Sequence, residues 1–212
     1  IRSSIGYKIM TSQLFSLPVN IPFKRIYSRM GQRVSTEISS EIKNKIDTVI
    51  NDAFVICELK ARYEIFNIER NDGENITFGG ETFVSKSFCQ LVKNCDEIAL
   101  FAVTVGNKLP EKRQEFIDNG EMFNAVVYDA AGSEIAEEGA EYMHDFLGKI
   151  ATAKGKKIMK RRFSPGYSDM SLEMQKKIFK LLKPENIGIN LSPSFLMIPE
   201  KSVTAFVGIE KA

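Results

Sequence analysis

The chain has 212 residues, 43% hydrophobic and 26% charged, an ordinary globular composition at a length that can bury a core without metal or disulfide. Its 29 basic and 27 acidic residues leave a net charge of +2, which excludes a general attraction to nucleic acid or to an anionic membrane. Cys57, Cys89 and Cys95 form no C-x-x-C pair and sit in or beside apolar runs, so buried free thiols in a reducing compartment are expected, not a disulfide framework or a thiolate metal site.

Residues 1–18 lack a basic start followed by a long apolar stretch, so no signal peptide is expected there. No apolar run approaches the ~18 residues of a membrane span. One cytoplasmic domain over residues 1–212 is the expectation. Pro18 and Pro22 fix an extended connection over residues 16–23. From a cap at Ser35 or Thr36, apolar residues at Ile38, Ile42, Ile46, Val49, Ile50 and Ala53 predict an amphipathic helix reaching about Cys57. Arg62 to Ile68 reads as a strand, Asn71-Asp72-Gly73 as a turn, and Ile76–Phe78 as a second strand. A short helix over Ser85–Lys93 precedes the nearly continuous apolar run Ile98–Val105, which suits a strand buried on both faces.

Beyond Gly106, a helix is predicted around Glu111–Asn119, ending at Gly120, and then a long one from Met122 to Ile150. Ala130, Ala131, Gly132, Ala136, Gly139 and Ala140 make that helix slim. Interior glycines cost about 1 kcal/mol each relative to Ala, so either a neighbouring element or a ligand must approach closely. Residues 154–162 read as a basic loop, Ser171–Leu182 as a helix with Leu172, Ile178, Phe179 and Leu182 on one face, and Ile189–Leu191, Phe195–Ile198 and Ser202–Ile209 as short strands. Helices and hairpin-like strands alternate without a βαβ rhythm, which predicts an α+β fold of mixed helices and a mainly antiparallel central sheet.

Several chemistries lose their parts. His144 is the single histidine, with no nucleophile or metal partner in view, so no catalytic residue and no metal site is assigned. Gly106 stands alone at a strand-to-helix turn, which is no phosphate loop. Lys154, Lys156, Lys157, Lys160, Arg161 and Arg162 make a cluster without aromatic interleaving; it reads as a solvated loop, with docking of an acidic protein as the alternative. Arg162-Phe163-Ser164-Pro165-Gly166-Tyr167 is different in kind, because a Pro-Gly turn is flanked by a guanidinium and a phenol ring. Arg162 can hold a carboxylate bidentately, Tyr167 can offer a ring face, and Glu137 on the slim helix can meet an ammonium or sulfonium. Together they complement an amino-acid zwitterion with an extra positive charge. A purely structural turn is the alternative.

The same residues resemble a known family. Arg162 to Tyr167 is similar to the R-x-x-P-G-Y motif of the activation (reactivation) domain of vitamin B12-dependent methionine synthase. Ile187 to Ser192, Ser194 to Pro199 and Lys201 to Thr204 look like that family's G-x-x-L-T-x-S-x-x-M-x-P-x-x-S-V-S segment, and Glu137 to His144 resembles the helix that supplies a ligand-binding Glu. The likeness covers most of the chain, is strongest from about residue 123 onward, and is to smaller stand-alone forms of the domain.

The resemblance implies an S-adenosylmethionine-binding activation subunit that caps cobalamin presented by a partner methionine synthase subunit. It also implies one electron from a donor such as flavodoxin, coupled to methyl transfer in methionine biosynthesis. In that reading the protein positions the methyl group and performs no acid–base step. Glu137, Arg162, Tyr167 and the backbone at Ser164 and Gly166 are the implied ligand contacts. The chain departs from the long family form in having no match to an N-terminal acidic ligand contact, and at Ser168-Asp169-Met170-Ser171. An activator of another corrinoid methyltransferase, and a non-catalytic protein-docking module, are the competing readings.

Overall fold

The computed structural model of the protein describes residues 12–14, 16–32 and 38–211. The cap candidates Ser35 and Thr36, and the opening stretch through residue 11, lie outside the described residues. In chain order the strands and helices are β1 (Ser12–Leu14), α1 (Phe23–Arg29), α2 (Ser40–Ile56), β2 (Lys60–Asn71), β3 (Asn75–Phe78), β4 (Glu81–Val84), α3 (Lys86–Leu91), β5 (Cys95–Thr104), α4 (Lys108–Asp118), α5 (Met122–Ala153), β6 (Lys156–Ile158), α6 (Gln175–Leu182), β7 (Asn190–Leu191), β8 (Met197–Ile198) and β9 (Ser202–Lys211). A seven-stranded sheet runs β4-β3-β2-β5-β9-β6, with β1 beside the first half of β2; β7 and β8 form a separate hairpin. Every pairing is antiparallel, so the α+β expectation holds.

The sheet centre follows from the apolar run in β5. Successive side chains of a strand point to opposite faces, and here both faces are covered. Ala99, Phe101 and Val103 join Ile50, Ala53, Ile135 and Met143 on the side of α2 and α5. Ile98, Leu100 and Ala102 join Phe78, Phe83, Phe88 and Phe206 on the other. The Phe206 ring lies 5.1 Å from Phe83 and 5.1 Å from Phe88, so in this Trp-free chain phenylalanine carries that half of the core. Such ring pairs add about 0.5–1.5 kcal/mol each beyond burial.

The glycines of α5 have a packing cause. A Cβ on Gly132 would stand 2.7 Å from Leu109 Cδ2, and one on Gly139 would stand 2.8 Å from Val103 Cγ1. The close approach at Gly132 and Gly139 is made by neighbouring elements.

Some boundaries differ from expectation. The α2 cap is Ser39, whose Oγ accepts the Ile42 N–H at 3.3 Å. Strand signal around Phe195 shrinks to Met197–Ile198 because Phe195 adopts a left-handed turn conformation with φ 64°. The basic stretch 154–162 is not a loop throughout. Lys156–Ile158 pairs with the end of β9, and Lys156 Nζ reaches Asp96 at 3.0 Å and Glu97 at 2.9 Å. Acidic partners on β5, remote in sequence, draw that cation in. No helix among the described residues is long and apolar enough to cross a membrane.

Candidate functional site

The turn at Ser164–Tyr167 is built by its two central residues. Pro165 fixes its own φ, and Gly166 sits at φ +89°, a value L side chains rarely adopt but position i+2 of a type II turn requires. The Tyr167 N–H closes the turn on the Ser164 carbonyl at 3.3 Å, and the Gly166 N–H donates to Met170 at 2.9 Å. Immediately before the turn, Phe163 exchanges both backbone hydrogen bonds with Phe206 of β9, at 2.9 and 2.7 Å. Ser164 Oγ then donates to the Thr204 carbonyl at 2.7 Å. The turn is thereby fastened to the sheet edge.

The residues after the turn anchor it from the other end. Asp169 Oδ1 accepts from Ser85 Oγ at 2.6 Å, and its Oδ2 accepts the Lys86 and Ser87 N–H groups at 2.7 and 3.3 Å. The Ser85 hydroxyl first, with those amides, holds the Asp169 carboxyl down at about 2. Ser168, at φ 54°, places its Oγ 2.8 Å from Ser87 Oγ. The departure from the family pattern at Ser168–Ser171 is therefore a clamp onto the start of α3.

Across from the turn runs α5. Its glutamates Glu134, Glu138 and Glu141 are engaged by Arg25 of α1, the first and last at 3.2 and 2.8 Å. Glu137 looks the other way and forms an ion pair with Arg162 Nη2. The pair is partly exposed, with the guanidinium side chain at 23%. Arg162 Nη1 is buried and has no hydrogen-bond partner among the described residues. A buried guanidinium N–H without an acceptor is unfavourable by roughly 1–3 kcal/mol or more, a deficit that a water or a ligand oxygen would relieve.

Arg162 and Glu137 open onto a cleft of about 720 Å³, lined also by Ser164, Pro165, Tyr167, Gln175, Met197 and the β9 segment Ser202–Ala205. Tyr167 stands at its rim, 69% exposed. Gly166 shapes the turn without lining the cleft. Four of the five sequence-selected residues thus share one cavity, and the fifth makes the turn that positions them. His144 lies two turns along α5, half-buried, where desolvation first and the Arg162 charge second lower its pKa. The sequence reading missed Gln175, which is 2% exposed and hydrogen-bonded to Thr204. Its signal was present: a polar side chain at the position that continues the Leu172–Ile178–Leu182 stripe.

Comparisons with known proteins agree on this architecture. Residues 69–212 match the family model described as vitamin B12-dependent methionine synthase, activation domain. Among solved structures, the chain is similar to one titled "Crystal Structure of the MetH Reactivation Domain bound to AdoHcy", with a TM-score of 0.69 over 95% of this chain and 79% of that one, at 17% identity. At that identity the likeness speaks to the fold alone.

Proposed function

The chain belongs to the vitamin B12-dependent methionine synthase activation-domain family, and from that premise we propose that residues 1–212 work as a single unit that binds S-adenosylmethionine in the Arg162–Glu137 cleft. The observation that carries the reading is the Arg162–Glu137 ion pair on the wall of the cleft, with an Arg162 Nη1 that has no hydrogen-bond partner among the described residues. An α-carboxylate supplies the acceptor that nitrogen lacks, as the second arm of a bidentate contact. Glu137 turns to the α-ammonium, exchanging one cation for another. The Ser164 N–H, on the cleft wall, is the backbone group left for the ligand, since the Ser164 carbonyl and the Gly166 N–H are already engaged in holding the turn. Tyr167, exposed at the rim, covers the ligand with its ring.

When bound, S-adenosylmethionine supplies a methyl group for the cobalt of a cobalamin carried by a methionine synthase partner, with one electron from a donor such as flavodoxin, leaving S-adenosylhomocysteine. This chain's residues would hold the amino-acid end, and their contribution to methyl transfer would be positioning, a proximity effect. That role needs no general base; the ionic groups on the cleft wall are Arg161 and the Arg162–Glu137 pair. The MetH reactivation domain of similar fold was solved with AdoHcy, the demethylated form of the same ligand. A cytoplasmic setting goes with this reading.

A thermal melt tests it. Ligand at a hundredfold excess over its Kd stabilises the native state by about 2.7 kcal/mol, which raises Tm by several degrees at this size. Arg162→Ala abolishes the shift. Absence of any shift with millimolar S-adenosylmethionine and wild-type protein would overturn the proposal.

A further inference from the structure

Among the described residues the seven-stranded sheet ends on β6, with β9 on one side and no strand on the other. The Met159 N–H donates to the Gly208 carbonyl at 2.9 Å, so the main chain of Met159 faces β9. Antiparallel pairing alternates along a strand, and the main chains of Lys156 and Ile158 therefore face outward. No turn or loop among the described residues hydrogen-bonds to them. Beside this edge a groove of about 620 Å³ separates β6 from the last turns of α5, lined by Asp145, Gly148, Lys149, Thr152, Ile158 and Lys160 among others.

The edge is also positive. Lys149, Lys154, Lys157, Lys160 and Arg161 are exposed, and among the described residues they form no ion pair, in contrast to Lys156 and Arg162. Two carboxylates face them: Asp145 in the groove, and Glu210 opposite Lys157 in the ladder. Glu141, near Lys160, is spent on Arg25. Lysines on an edge strand discourage pairing with an arbitrary strand, but they favour an acidic one. No large apolar residue between 144 and 163 is exposed, which leaves nothing there to enter a bilayer or to stack on a base.

We infer that β6 is a docking edge for an extended acidic segment of a protein partner, added to the sheet as a further strand. The main chain of the segment hydrogen-bonds Lys156 and Ile158, the mode in which a peptide extends an open sheet. Its carboxylates on one face meet Lys157, and those on the other meet Lys149 and Lys160 along the groove. Nothing in this depends on what the Arg162–Glu137 cleft binds.

The test uses the full chain and a fluorescein-labelled peptide of alternating Glu and Thr, read by anisotropy at low salt. The same peptide N-methylated at every residue keeps the charge and has no strand N–H to give. Wild type binds the unmethylated peptide, and methylation weakens binding about tenfold or more, since at least one strand hydrogen bond is lost. Lys149→Glu with Lys157→Glu, both on exposed side chains, lowers affinity for the Glu–Thr peptide by about tenfold and creates binding of a Lys–Thr peptide. In unmutated, ¹⁵N-labelled protein the outward Ile158 amide shifts and exchanges more slowly with the Glu–Thr peptide bound, which keeps the test open if the double variant does not fold. Equal affinity for the methylated peptide would overturn strand addition. So would tighter binding of a DNA duplex or of phosphatidylglycerol vesicles, or no binding of the Glu–Thr peptide at millimolar concentration.

Discussion

Gly139→Ala probes the packing that sets Glu137 opposite Arg162. The new Cβ would meet Val103 Cγ1 at 2.8 Å and Leu59 Cδ2 at 2.9 Å, about 0.6 Å inside the 3.4 Å at which ordinary contact begins. Val103 is wholly buried in the central strand and Leu59 is 8% exposed, so neither yields freely. Overpacking of this kind costs about 1–3 kcal/mol, against about 1 kcal/mol gained in helix propensity. The net is a loss near 1 kcal/mol, which lowers Tm by about 3 °C in a chain of this size. Gly148→Ala is the control within the same helix. Its Cβ meets only Ile158 Cγ2, at 3.1 Å, on the edge strand β6, where a shift of a few tenths of an ångström is available. There the propensity gain survives and Tm rises. Urea unfolding of the two variants, read by circular dichroism, measures both. Gly139→Ala as stabilising as Gly148→Ala would refute the argument, because propensity alone would then govern both sites.

Charge and burial elsewhere in the chain set three more outcomes. Asp169, held at about 2, is depressed below the ordinary carboxylate value, so its contribution is present above about pH 4 and is lost as pH falls toward 2. Asp169→Asn is less stable than wild type at pH 7, and the gap closes in urea melts between pH 4 and pH 2. Glu137→Gln keeps the size of the side chain and removes its charge; S-adenosylhomocysteine binding weakens about tenfold while 5′-methylthioadenosine is unaffected, a comparison made by titration. Burial pushes the Cys57 and Cys95 thiols up to about 12, so a thiol reagent at pH 8 modifies native protein slowly and all three cysteines rapidly after unfolding in urea.

Local physics was written plainly in some segments. Ile98–Val105 could be read as a strand buried on both faces because no polar residue breaks it except Thr104, whose hydroxyl is spent on Ser202 at 2.9 Å. The slimness of α5 announced close contact, although only the fold shows that Leu109 and Val103 make it. Pro165-Gly166 fixed a turn by backbone sterics alone. Features that depend on remote partners were less legible. Lys156 counted as one more solvated cation until β5 brought Asp96 and Glu97 beside it. The Arg162–Glu137 pairing joins residues 25 apart across a helix and a strand edge, and the charge pattern offered several glutamates for the place. The N–H left over on Arg162 is a property of burial, which sequence does not display. Gln175 is the intermediate case: its place on an apolar stripe was visible, and its partner Thr204 was not.

The most direct test of the central claim is isothermal titration of S-adenosylmethionine into wild-type protein and Arg162→Ala. The account predicts saturable binding at one site per chain for wild type, and none for Arg162→Ala under the same conditions. Equal binding by both proteins, or no heat from wild type at millimolar ligand, would contradict it.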